Sequence, residues 1–136
     1  MEWLSPQSAA SELEPSRLCR EAIGILRRLG WTQMHYVSGD GPPHQGKVCL
    51  VEAISRATGL PPKAMMPGAR ARVQHADPAA AAKYRAVDNT LEVLAEKLGR
   101  DGQQDNLSAQ KWLMNWNDAG GRIREEVLAA LLSCEE

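Results

Sequence analysis

The chain has 136 residues, 16 basic and 17 acidic side chains, and a formal net charge of −1, a length that suits one domain. The charge balance argues against a strongly basic nucleic-acid binder and an acidic disordered protein. The longest purely apolar run, Val127 to Leu132, falls far short of the roughly 20 residues a membrane helix needs.

Residues 1–14 read as a flexible N-terminal arm, and residues 15–136 as a single helical domain. Ser11 and Glu14 match a capping box, but Pro15 falls where a helical N–H is needed, so the first helix is expected to begin with Pro15 in its first turn. Leu18, Ala22, Ile25 and Leu29 lie on one helical face, Arg27 and Arg28 suit the negative C-terminal end, and Gly30 is a natural C-cap. Residues 31–48 have no helical period. Thr32 to Val37 could form a short strand, Gly39-Asp40-Gly41-Pro42-Pro43 is a turn cluster, and a β-hairpin returning through Lys47-Val48 is one option.

The next helix is expected over Val48 to Thr58, ended by Gly59 and Pro61-Pro62, with Glu52 and Arg56 paired on its outside. Residues 60–76 are irregular or hold a short helix around Ala69 to Gln74. Asp77-Pro78 is a start signal, and Tyr84, Val87, Leu91, Leu94 and Leu98 then step by three and four, the clearest period in the chain. After a loop, Ser108 caps a helix carrying Trp112, Leu113 and Trp116, with Leu107 and Trp112 placed for a hydrophobic staple. Asn117-Asp118-Ala119-Gly120-Gly121 stops it. The last helix is expected from Arg122 to Cys134, with Ile123, Val127, Ala130, Leu131 and Cys134 on its core face. Ala is the commonest residue and Phe is absent, so the fold class is mainly α: a compact bundle of about five helices with one irregular or β segment. With no Phe, the four Trp matter more, each able to bury on the order of 200 Å².

Three segments stand out together: Gly30-Trp31-Thr32-Gln33, Cys49 to Ala57, and Trp116-Asn117-Asp118-Ala119-Gly120-Gly121-Arg122 ahead of Glu126-Val127. In this order and spacing the chain resembles, over residues 15–133, a family of small domains of unknown function found in actinobacteria and their phages. It departs from that pattern where Glu52 replaces an expected Gly and Ile123 an expected Thr. Thr at 123 with Glu126 would make a capping box; with Ile, Asp118 or the glycine turn is expected to supply the N-terminal partners. The resemblance implies a shared fold and a cytoplasmic location, and it implies no known activity.

Two places could carry function. Asn117, Asp118 and Arg122 at a helix N-terminus, walled by Trp116 and with Trp31 from the first motif, would suit a small polar ligand or a partner protein's backbone. Asn and Asp beside two Gly are also ordinary turn chemistry, and that reading carries more weight. Cys49 at a helix N-terminus could be a nucleophile, with His35, His44 or His75 as base. It lies between Val48 and Leu50 in register with Ala53, as a buried thiol would, and no cysteine-protease signature surrounds it.

The three cysteines, Cys19, Cys49 and Cys134, and the histidines show no metal-ligand spacing, so no metal and no cofactor are expected. Together with an N-terminus unlike a signal peptide, they suit a reducing cytoplasm. Arg17, Arg20, Arg27 and Arg28 lie on two sides of one helix among Glu residues, and Arg122 and Arg124 are followed by Glu125 and Glu126, which argues against nucleic-acid reading. Gly120-Gly121 precedes no Lys-Ser or Lys-Thr, so there is no phosphate loop. The resulting expectation is a non-enzymatic binding or regulatory module in a phage- or defence-related role, with an unknown protein or small polar ligand as partner. The alternative is a small enzyme using Cys49 or the Asn117/Asp118/Arg122 cluster.

Overall fold

A computed structural model of the chain describes residues 13–33, 46–104 and 106–135. The expected N-terminal arm, apart from Leu13 and Glu14, lies outside them, as do His35, His44 and the whole turn cluster from Gly39 to Pro43. The described residues form six helices: α1 (Pro15–Leu29), α2 (Leu50–Ala57), α3 (Ala69–Ala76), α4 (Ala80–Lys97), α5 (Ala109–Asn117) and α6 (Arg124–Glu135).

Pro15 begins α1, where its missing N–H costs nothing. The buried face comprises Leu18, Cys19, Ala22, Ile23, Ile25 and Leu26, broader than a single four-residue stripe, while Leu29 is half-buried. Gly30 ends the helix at φ +92°, its N–H donating to the Leu26 carbonyl at 2.8 Å. Side chains rarely take that φ, and a Cβ there would meet the Lys47 side chain at 3.2 Å.

The turn out of α1 sets the start of α2. Val48 donates its N–H to the Gly30 carbonyl at 2.9 Å and accepts from Thr32 N–H at 3.0 Å, an isolated parallel bridge between Trp31 and Val48. This corrects one expectation: Val48 is held in the bridge, so α2 starts at Leu50. The bridge is parallel, not the antiparallel pairing of a hairpin, and the rest of the candidate strand and hairpin, residues 34–45, lies outside the described residues. Cys49 is the N-cap of α2, its Sγ accepting from Glu52 N–H at 3.4 Å. Leu50 through Ser55 are all buried, which makes α2 the short central helix.

α1 packs against α6 and α2, α2 also against α4 and α5, and α4 against α5 and α6. On α4 the expected stripe is the core: Tyr84, Val87, Leu91 and Leu94 are buried and Leu98 is half-buried. The Tyr84 hydroxyl donates to the Ala64 carbonyl at 2.8 Å, pinning the loop between α2 and α3. Asp77 does act at the N-terminal side, its carboxylate accepting from Ala79 N–H at 3.1 Å, and α4 proper begins after that turn.

α6 begins two residues later than expected. Ile123 precedes its first turn, off the helical face, and is 52% exposed rather than in the core. Val127, Ala130, Leu131 and Cys134 are buried as expected. The free N–H of Ile123 is met at 3.1 Å by the Glu126 carboxylate, not by Asp118 or the glycines. Half of a capping box therefore persists without its hydroxyl. No helix among the described residues is long and apolar enough to cross a membrane.

Candidate functional site

Trp31, Trp116, Asn117, Asp118 and Arg122 meet where the end of α5, the start of α2 and the segment after α1 converge. Asn117 is at the centre and only 1% exposed. A primary amide can accept twice and donate twice, and Asn117 uses all four positions. Its Oδ1 accepts from Trp31 Nε1 at 2.7 Å and from Leu50 N–H at 3.1 Å. Its Nδ2 donates to the Thr32 carbonyl at 3.3 Å and to Asp118 Oδ1 at 2.9 Å. One side chain thus caps α2, orients an indole and ties the extended 31–33 segment to α5.

The C-terminal carbonyls of α5 are satisfied by the same motifs. Gln33 Nε2 donates to the Ala119 carbonyl at 2.8 Å and the Asn117 carbonyl at 3.3 Å. Arg122 Nε donates to the Trp116 carbonyl at 2.9 Å, and its guanidinium lies 3.8 Å from the centre of the Trp116 ring, a cation–π stack. Arg122 also reaches toward Glu126 at 3.5 Å, so it links the end of α5 to the start of α6. Asp118 is half-buried, close enough to Cys49 for its charge to disfavour the thiolate, and thus close to the positive end of α2. Gln33 was absent from the sequence-based site; its partners are carbonyls, which leave no trace in side-chain pattern.

The family of unknown function DUF6197 matches residues 10–136. The chain belongs to that family. No curated protein and no solved structure matches it. The three segments that carried the resemblance are, in this DUF6197 chain, the parts that interlock: Trp31 and Gln33 from the first, Cys49 and Leu50 from the second, Asn117 and Arg122 from the third.

The geometry weighs against a nucleophile at Cys49. Burial pushes its thiol up to about 12, with the Glu52 and Asp118 charges adding to the effect against opposing backbone hydrogen bonds. At neutral pH almost no thiolate is present, and the thiol serves as cap and core. His75 is exposed on α3. Among the described residues no group of three or more His, Cys, Asp or Glu is placed to hold a metal ion. Glu52 forms the expected pair with Arg56, at 2.7 Å, but it is 6% exposed rather than on the outside. Its carboxylate also accepts from Lys63 N–H at 3.0 Å, which holds Lys63 at φ +65°. The residue that replaces the expected Gly has become the anchor of the loop after α2.

A second feature was not visible in the sequence. Beyond that loop, α3 and α5 flank an open groove of about 390 Å³ lined by Met65, Met66, Pro67, Gln110, Lys111 and Met114 among others. Gln110 donates to the Met65 carbonyl at 2.9 Å and fixes one wall. Arg70, at the α3 side, is held by both oxygens of Asp88, at 2.6 and 2.9 Å, and lies over the Tyr84 ring.

Proposed function

We infer that the chain is a non-enzymatic binding module, and that it takes an apolar, acid-flanked segment of a partner protein into the methionine groove. The observation that carries this reading is the contrast between the two features of α5. On one side Asn117 is saturated with internal hydrogen bonds; on the other Met65, Met66 and Met114 border an open groove. Methionine is flexible and polarizable and suits surfaces that adapt to a partner. The volume is within the range of ligand sites. No acidic residue lines this groove, Lys111 stands on its wall, and neither α3 nor α5 contains Asp or Glu. Asp88 neutralises Arg70 from the neighbouring helix, which leaves Lys111 to give the lining its sign. The Trp31–Asn117 clasp then has a positional role: it sets α5, and with it the groove wall. The enzyme alternative is disfavoured because Cys49 is held as a thiol and Asn117 offers no unused donor or acceptor.

The probe is a synthetic amphipathic peptide with Leu at i, i+3, i+4 and i+7 and Glu elsewhere. Titration into protein labelled at the methionine methyl groups should shift the signals of Met65, Met66 and Met114. Lys111→Glu should weaken the affinity at least tenfold, whereas Arg85→Glu, on the exposed face of α4, should not. Unmoved methionine signals, or equal binding of a peptide with Lys in place of Glu, would overturn the assignment.

A further inference from the structure

The solvent side of α1 stands apart from the clasp and from the methionine groove. Its core side packs against α2 and α6, and its exposed residues are Arg17, Arg20, Glu21, Gly24, Arg27 and Arg28. The expectation that the arginines divide between two sides of the helix is corrected here. At 3.6 residues per turn all four fall within about 100° of arc around Gly24, with Glu21 at one edge. Arginines elsewhere are neutralised: Arg56, Arg70, Arg100, Arg122 and Arg124 each hold a carboxylate. Arg17, Arg27 and Arg28 hold none among the described residues, while Arg20 has a partner of its own. Lys47 is exposed and its side chain runs beside Gly30, which adds a cation at the C-terminal end of α1.

Gly24 is a second, independent observation. Glycine is the poorest helix former after proline, and no neighbour demands it here: a Cβ would meet nothing within 4 Å. Arginines stand at i−7, i−4, i+3 and i+4 around it and leave the helix backbone bare between them.

We propose that this face of α1 binds duplex DNA through its phosphates, without regard to base sequence. Planar guanidinium groups match phosphate oxygens in charge and in geometry. At 1.5 Å per residue Arg17 lies about 15 Å along the axis from Arg27 and about 16 Å from Arg28. The major groove of DNA is about 12 Å wide and admits an α-helix. A helix laid across it brings Arg17 to the phosphates of one strand and Arg27 and Arg28 to those of the other, and the bare backbone at Gly24 lets the two surfaces close. The deep, narrow groove of an RNA duplex does not admit a helix in this way. The net charge of −1 is no obstacle, because charges more than about 8 Å away are largely screened at physiological salt.

Fluorescence anisotropy of a labelled DNA duplex two helical turns long, titrated with the full chain, tests this. The expected Kd is about 10⁻⁴–10⁻⁶ M at physiological salt, and log affinity should fall against log salt with a slope of about −3, three phosphates at about 0.9 each. The double variant Arg17→Glu/Arg28→Glu should weaken binding at least tenfold, whereas Arg85→Glu, exposed on α4, should not change it. Gly24→Leu should raise Tm, because Leu favours the helix and meets no neighbour, yet weaken binding at least threefold by holding the duplex off. Absence of binding at low salt would overturn the proposal, as would a duplex affinity unchanged in the double variant or in Gly24→Leu. Tighter binding of a poly-glutamate peptide or of an RNA duplex than of DNA would overturn it as well.

Discussion

Asn117→Ala tests the clasp most directly. The substitution strips the acceptor from the buried Leu50 N–H and from the indole of Trp31, and the donor from the Thr32 carbonyl. A buried polar group left unsatisfied costs about 1–3 kcal/mol. Leu50 N–H is fully enclosed and bears the larger share; Trp31 and Thr32 are half-buried, so water can partly replace their lost partner. The sum is about 2–4 kcal/mol, a large part of the roughly 5–15 kcal/mol that holds such a domain together. Urea unfolding followed by tryptophan fluorescence gives the difference, and Tm should drop on the order of 10 °C. Asn117→Asp provides the internal control. It keeps both acceptances, loses both donations and sets a second carboxylate against Asp118. A carboxyl so placed binds its proton more tightly folded than unfolded. Between the unfolded and the raised folded pKa the native state holds more protons, so stability falls as pH rises through that window. The deficit of Asn117→Asp relative to wild type should therefore shrink on acidification, whereas that of Asn117→Ala should not. An alanine variant within about 0.5 kcal/mol of wild type, the range of an ordinary surface change, would refute the clasp. So would an aspartate variant whose deficit is the same at every pH.

Three further outcomes follow from the packing. Leu91→Ala or Leu94→Ala, on the buried stripe of α4, should cost about 2–5 kcal/mol in denaturant unfolding, with Glu96→Ala on the exposed side within about 0.5 kcal/mol. Ile123→Thr should stabilise the chain by about 0.5–1 kcal/mol, because a hydroxyl there completes the capping box that Glu126 already half forms and little apolar burial is lost; a lower Tm would show that the N-cap is misplaced. Cys49 should react with iodoacetamide near neutral pH far more slowly in the native chain than in urea, and fast native labelling would reopen the nucleophile reading.

Helix type and the main core faces were legible in the sequence because they depend on local period and punctuation. Pro15, Gly30, Ser108 and the three-four stepping from Tyr84 to Leu94 each act within one or two turns, and each reappears in the structure with that role. The motif residues could also be named in advance: Trp31, Trp116, Asn117, Asp118 and Arg122 do gather in one place. Their jobs could not. Asn117 looked like turn chemistry because glycines follow closely, yet its partners Trp31, Thr32 and Leu50 lie far away in the chain, and three of its four bonds are to a ring N–H, a backbone N–H and a backbone carbonyl, which no sequence pattern records. Ile123 and Glu52 were misplaced for a related reason. Helical period assigns a face only inside a helix, and Ile123 sits just before one; Glu52 looked like a surface ion-pair partner until the loop at Lys63 closed over it. The methionine groove exists only once the segment from Met65 to Ala71 faces α5. Such contacts are set by how helices pack, and packing is decided by the fit of whole surfaces rather than by the spacing of residues along any one of them.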